Sequence, residues 1–431
     1  MKVIQLTPGS GGTFYCQNCL RDSSQVKALR TLGHDVVMVP MYLPLFVDED
    51  ALGSEAPVFF GAVSLYLCER FPILRRLPTW LLHALDSPAI LKWAAGKAGS
   101  TRASGLEEMT LSMLRGEEGR QAEELNTLVD WLTHEGKPDI VHLSNALLLG
   151  LAKPIREQLG VPVVCSLQDE DVWVDAMPSP GKEAVWKEMS QQAAHVDRFV
   201  AVSDFYAKQM EAKLSLSPDR ISVVPIGIDL AGYEPAASPP APAVGFLSRL
   251  SPSLGLQTLV EAFILLREDS RLQNVRLRVM GGQTDDDARF VEELKRRLAQ
   301  RNLLDDVDFL TSFGRTERQE FLRSLSMLSV PVAAGEAFGT YQIEALACGV
   351  PVVQPNAGAF PEIVERTGGG IIYDPNDPPV LSQALVSLLT DLERARKLGR
   401  RGRRVVLDKF GIEQMARNLM AVYRELVAPG R

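Results

Sequence analysis

Glu336 and Glu344 stand eight positions apart in the stretch Gly335 to Pro351, GEAFGTYQIEALACGVP. A carboxylate accepts paired hydrogen bonds from neighbouring hydroxyls, so each glutamate can hold a sugar ring or a ribose. Between them, Gly339 lets the backbone come close to a ligand. The N–H groups of Gly339, Thr340 and Tyr341 would project from a helix start, a natural seat for phosphate. Acids beside such a seat suit a molecule that is part sugar and part phosphate. An ordinary strand–helix unit with two surface glutamates would use the same residue types. The full set, with Phe338, Ala345, Ala347, Gly349 and Pro351 in place, argues against it.

The elements that must hold these residues are legible around them. Met327 to Ala333 is a short apolar run of the buried-strand kind. After Gly339 the pattern turns helical, with Tyr341, Ile343, Leu346 and Ala347 on one side, until Gly349 and Pro351 stop it. Val350 to Val353 starts the next strand. The same alternation runs elsewhere. Strand Lys2 to Thr7 leads through Gly11 and Gly12 into a helix from about Cys19 to Leu32, and strand Asp35 to Val39 follows. Strand Val275 to Gly281 ends on Gly281-Gly282, at the carboxyl end where open α/β sheets bind ligands. Further strands are expected at Val161 to Leu167, Arg198 to Val202, Ala243 to Ser248, Val307 to Leu310 and Ile371 to Tyr373. Glu107 to His134 reads as one long helix with a charged outer face.

Composition sets outer bounds. The chain has 431 residues, 46% hydrophobic and 23% charged, enough for two globular domains. A net charge of -8 argues against a nucleic-acid binder, which needs a basic face. The opening MKVIQLTPGSGG carries too short an apolar run for a secretory signal, and no stretch has the length of a membrane span. Five scattered cysteines point to a reducing, cytoplasmic setting. Cys16 and Cys19 form a C-x-x-C pair without further zinc ligands nearby, and packing or loop chemistry is expected of them. Phe71 to Ala95 mixes Trp80, Trp93 and leucines with arginines. A helical insertion is the favoured reading, with peripheral contact to the inner face of a membrane as the alternative.

The residues from Glu336 to Pro351 resemble the E-x7-E signature of the retaining glycosyltransferases of family 4. Leu32 to Val36, Pro138 to His142, Val223 to Asp229 and Asn356 to Glu362 resemble other segments of that family. The resemblance covers nearly all of the chain outside residues 48–137. It implies a GT-B fold: two Rossmann-like α/β domains facing across a cleft, with a C-terminal helix crossing back onto the first. The expected division is 1–233 with an insertion at about 48–137 and the terminal helix 412–431, a Pro- and Ala-rich linker from Glu234, and a second domain over 243–411.

By that resemblance Glu336 touches the transferred sugar and Glu344 the ribose, while Phe338 and Gly339 to Tyr341 belong to the donor site. Gly11 and Gly12 would face the donor diphosphate, and the backbone around Leu310 and Thr311 would hold the base. Arg249 would clamp the diphosphate, an anion that suits guanidinium. The lysine that usually completes the clamp falls on Leu254. His142 is the candidate catalytic histidine of the first domain, although a lone histidine at a strand end is as readily structural. Ser144 stands where a second histidine is common, and Gln168 where many relatives have a histidine before an acid. Gln168 and Asp169 are the acceptor candidates.

The expectation is a hexosyltransferase using a UDP- or GDP-type sugar as co-substrate, with no cofactor and no metal, and an acceptor among glycans, lipid-linked sugars or small molecules. The alternative is a non-catalytic GT-B protein that binds a nucleotide sugar as sensor or partner subunit, supported by Leu254, Ser144 and Gln168. A nucleotide-sugar epimerase or a phosphorylase on the same fold is a third reading.

Overall fold

The computed structural model describes residues 1–8, 17–41, 105–235 and 241–427. Among the described residues, twelve parallel strands form two six-stranded sheets. Their sequences are near-continuous apolar runs, such as VVCSL and AVGFL, because helices cover both faces of a parallel sheet. The chain divides into two compact units, each described by itself.

In the first unit the strands are β1 (Lys2–Thr7), β2 (Asp35–Pro40), β3 (Ile140–Leu143), β4 (Val163–Leu167), β5 (Arg198–Ala201) and β6 (Ile221–Val223). Their order is β2-β1-β3-β4-β5-β6. Neighbouring strands that run outward in opposite chain order meet at β1 and β3, which is the switch point of a doubly wound sheet. The terminal helix Ile412–Val427 belongs to this unit from Met415 onward. It buries Met415, Leu419, Met420 and Tyr423. Tyr423 pairs its hydroxyl with His142 Nδ1 on β3. The helix after β5, Asp204–Leu214, starts on Ser203, whose hydroxyl accepts from Tyr206 N at 3.1 Å, an N-cap in the usual manner.

In the second unit the strands are β7 (Ala243–Leu247), β8 (Arg276–Met280), β9 (Val307–Leu310), β10 (Met327–Leu328), β11 (Val352–Pro355) and β12 (Gly370–Tyr373). The order β12-β11-β10-β7-β8-β9 is the 3-2-1-4-5-6 arrangement of the dinucleotide-binding fold, with its switch point between β7 and β10. The loop after β7 carries Arg249 and the loop after β10 carries Glu336, so topology alone places these two residues on either side of the ligand position.

Two expected elements differ from what forms. The helix read over Glu107 to His134 is two helices, Glu107–Leu114 and Ala122–Trp131, joined by a 3-10 turn. Gly116 takes φ +55° there, and a side chain at Gly119 would run into Ser112 O, so the chain breaks where glycine permits it. The strand read over Met327 to Ala333 pairs formally only at Met327–Leu328. Its ladder continues one residue further, with Ser329 N donating to Gly245 O at 2.9 Å. Pro331, without an N–H, ends it. Residues 71–95 and the Gly11-Gly12 turn lie outside the described residues, as does Cys16; the side chain of Cys19 is likewise outside them.

Tyr423→Phe tests how the terminal helix is held. The substitution leaves His142 Nδ1 buried without a partner, which costs about 1–3 kcal/mol. Chemical denaturation should show that loss with an unchanged slope on denaturant.

Candidate functional site

Gly339 is the N-cap of the helix Thr340–Ala347, with φ +79°. That left-handed backbone favours glycine, and a Cβ there would be tight, 3.0 Å from Gln342 Nε2 and 3.2 Å from Glu336 Oε2. Phe338 and Tyr341 turn their rings into the core, 2% and 0% exposed, against Phe410 and Phe360. Their contribution to a ligand is therefore backbone N–H at a helix start, where the peptide dipoles favour an anion. Thr340 is also buried. Glu336 is half-buried at the edge of this loop, and its carbonyl accepts from Ala359 N at 3.0 Å, which stitches the loop after β10 to the turn after β11.

Glu344 is 3% exposed inside the same helix. Tyr233 OH donates to its Oε1 at 2.5 Å and Arg318 Nε donates to the same oxygen at 3.3 Å. Burying a carboxylate is costly unless it is paired and hydrogen-bonded, and both conditions are met here. Arg318 also donates from Nη1 to Phe313 O at 2.8 Å, so it ties Glu344 to the loop after β9. That loop begins at Leu310, half-buried, with its carbonyl taken by Gly281 N, and continues to exposed Thr311.

Arg249 lies against Gly281-Gly282. A side chain at Gly281 would overlap Ser248 O, and Leu250 N donates to Gly282 O at 2.9 Å. The guanidinium donates from Nε and Nη2 to Asp287 Oδ2, at 2.9 and 2.8 Å, and from Nη2 to Thr284 Oγ1 at 3.1 Å. Asp287 and Thr284 form the capping box of the helix Asp285–Gln300. Leu254 is half-buried and supplies no charge beside Arg249. Among residues unrecognised in sequence, Asp287 left one signal, the T-x-x-D spacing of a helix start. Tyr233 and Arg318 left none, because their roles arise from distant segments meeting.

In the first unit His142 is fully buried. Its Nδ1 pairs with Tyr423 OH and its Nε2 with Ser166 Oγ at 2.8 Å. Burial, with the Arg21 charge adding to it, pushes its pKa down to about 3, so the ring is neutral. With both ring nitrogens engaged, this conformation offers neither to a substrate, and the histidine acts as a brace between β3, β4 and the terminal helix. Gln168, 4% exposed, donates from Nε2 to Ser144 O at 2.5 Å. Asp169 follows in a left-handed conformation, φ +58°, half-buried. Arg21 and Asp22 form a buried pair at 2.9 Å, and Arg21 Nη2 also reaches Ser144 O at 3.5 Å.

Glu170 is the buried acid of this edge. It accepts from Ala146 N at 2.8 Å, Gln168 N at 2.7 Å and Tyr206 OH at 2.8 Å, so it joins the loops after β3 and β4. Desolvation outweighs these bonds and raises its pKa from 4.5 to about 7. Asp171 is engaged by Tyr206 and Gln209. Among the described residues, no group of three or more His, Cys, Asp or Glu side chains could hold a metal ion.

The chain has the fold of known GT-B proteins. It is similar to the Anabaena HepE protein in complex with UDP and glucose, at 17% identity over 99% of this chain and 100% of that one, with a TM-score of 0.70. It is also similar to a sucrose-phosphate synthase from Thermosynechococcus elongatus, at 17% identity over 100% of both, with a TM-score of 0.69. These likenesses establish the fold.

The sequence carries the class further. Residues 235–405 match the model of the glycosyl transferases group 1, and residues 110–231 match that of glycosyltransferase family 4. A D-inositol 3-phosphate glycosyltransferase of Salinispora tropica is 27% identical over 320 residues, 69% of this chain and 66% of that relative. An alpha-maltose-1-phosphate synthase of Mycolicibacterium smegmatis is 26% identical over 400 residues, 86% of this chain and 97% of that one. Together the matches support a GT-B glycosyltransferase of the group 1/family 4 type.

The raised pKa of Glu170 gives a pH test. The folded state holds this proton more tightly than the unfolded chain, so its stabilisation is complete below pH 4.5 and is lost as the pH rises through about 7. Between pH 5 and pH 8 the melting temperature of the wild type should fall relative to that of Glu170→Gln. Parallel curves over that range would show that Glu170 does not hold the proton.

Proposed function

We propose that this protein transfers a hexose from a UDP- or GDP-type sugar to an acceptor hydroxyl, with retention at the anomeric carbon. The observation that supports this most is the arrangement around the helix Thr340–Ala347. An anion-favouring helix start with Glu336 at its edge and Glu344 within it suits a phosphate flanked by two polyhydroxyl groups. Glu336 would orient the transferred sugar and Glu344 the ribose.

The bond from the anomeric carbon to the diphosphate oxygen breaks, and a bond from that carbon to the acceptor oxygen forms on the same face. The departing phosphate takes the acceptor's proton, so no protein nucleophile is required. The protein's share is electrostatic: the N–H groups of Gly339 to Tyr341 and the Arg249 guanidinium would face charge that grows on the leaving diphosphate. Gly281-Gly282 gives that charge close backbone approach, and Leu310 to Thr311 would bound the base. No cofactor and no metal take part in this scheme. His142 enters it as a support for the acceptor-side edge, which Gln168 and Asp169 would line. The relatives' names specify an inositol phosphate and a maltose phosphate, which favours a small polyhydroxyl acceptor for this chain as well.

A second reading keeps the nucleotide sugar and drops the chemistry. Leu254 in place of a second cation, and an Arg249 whose charge is shared with Asp287, favour a binding protein.

Calorimetry with UDP, GDP, ADP and their sugar conjugates tests the assignment. Glu344→Ala should weaken the preferred nucleotide roughly 10- to 100-fold, the scale of a lost hydrogen bond to a charged group. Glu336→Ala should leave the free nucleotide within about threefold of wild type and lower turnover more. Nucleotide affinity indifferent to Glu344→Ala sinks the ribose contact.

A further inference from the structure

The second unit has a short segment, Asp229 to Glu234, laced down by side chains from two separate helices, Arg315–Arg323 and Leu392–Lys409. Arg315 donates from Nη1 to Asp229 Oδ2 at 2.6 Å and from Nη2 to Ala231 O at 3.0 Å. Gln319 Nε2 donates to Ala231 O at 2.8 Å. Arg403 donates from Nη1 to Tyr233 O and from Nη2 to Glu234 Oε2, the latter at 3.0 Å. The strap thus places the Tyr233 ring inside the unit, 3% exposed, with its hydroxyl on Glu344 Oε1.

We propose that Tyr233 is a positioning residue that fixes the Glu344 carboxylate for reading the ribose hydroxyls of a nucleotide. The proposal rests on the assignment of Glu344 to the ribose made above. A phenol oxygen buried this deeply is costly unless it is bonded, and a phenylalanine would fill the same space without that cost. What the oxygen adds is a charge-assisted hydrogen bond to a carboxylate. Burial and the Glu344 charge hold the phenol far above its usual pKa, so it stays a neutral donor. Arg318 supplies the balancing charge but reaches the same oxygen at the longer distance of 3.3 Å. Tyr233 and Arg318 hold the same carboxylate oxygen, and without the shorter bond from the phenol the carboxylate is held less firmly. A carboxylate that can turn must be reordered when it binds vicinal hydroxyls, and affinity falls by that cost. The strap's backbone is anchored by Arg315, Gln319 and Arg403 independently of the ring, so Tyr233→Phe should leave it in place.

The experiment compares wild type and Tyr233→Phe by calorimetry with UDP, GDP and ADP and with their 2′,3′-dideoxy forms, alongside melting temperatures. The wild type should prefer the ribose form of its nucleotide by roughly 10- to 100-fold. In Tyr233→Phe that preference should shrink by about fivefold or more, with affinity for the dideoxy form unchanged. An equal preference in both proteins overturns the role of Tyr233 and leaves Glu344 on the ribose. A parallel loss of affinity for both forms shows a merely structural tyrosine and also overturns it. A wild type that ignores the ribose hydroxyls, or binds none of the nucleotides, removes the Glu344 assignment and this proposal together.

Discussion

Adjacency of β7 and β10 is the constraint on which the second unit depends. Met327 pairs with Val244 and Leu328 with Gly245, and this register brings the ends of two strands, some eighty residues apart in sequence, side by side. Neighbouring strands diverge in connection order there, so the loops after them flank an opening that the crossover helices do not fill. Arg249 hangs from one loop and Glu336 from the other. The glycines that follow from this crowding are local consequences: Gly281 must pass Ser248 O, and Gly339 must pass Gln342 and Glu336.

Three of the buried acids among the described residues, Glu344, Asp287 and Glu170, are accommodated in different ways, and the difference follows their surroundings. Glu344 has a cation and a phenol on one oxygen. Asp287 has the Arg249 guanidinium together with the N-cap threonine. Glu170 accepts from two backbone N–H groups and a phenol, all neutral, and burial raises its pKa to about 7. The first two lie beside the nucleotide-sugar position proposed for the second unit. Glu170 gives shape to the loops after β3 and β4 instead, since its two oxygens gather backbone N–H groups from both.

Much of this was legible in the sequence, for identifiable reasons. Buried parallel strands are continuous apolar runs, so β1, β4, β7 and β8 stand out at nearly their observed bounds. The helix start at Gly339 is marked by glycine before an apolar period, and its surroundings resemble a family signature. His142 was legible as a strand-end histidine, catalytic or structural, but its partner was not, because Tyr423 lies 281 positions away. Tyr233 read as the last residue before a linker, and nothing local announces that its hydroxyl meets Glu344. The break at Gly116 was hidden by a charge pattern that continues in helical phase across it. Local periodicity is visible in a sequence, and partnership between distant side chains is not.

The site holding Glu336, Glu344 and Arg249 is proposed to break a sugar–phosphate bond with retention. The most direct test is proton NMR of the wild type with each UDP and GDP sugar in turn, with a small polyol or sugar phosphate as acceptor, following the anomeric signal. Nucleoside diphosphate should be released from one donor family, with a product signal of the same anomeric configuration as the donor. Inversion at the anomeric carbon, or a donor that binds tightly and stays intact with every acceptor, would contradict the proposal.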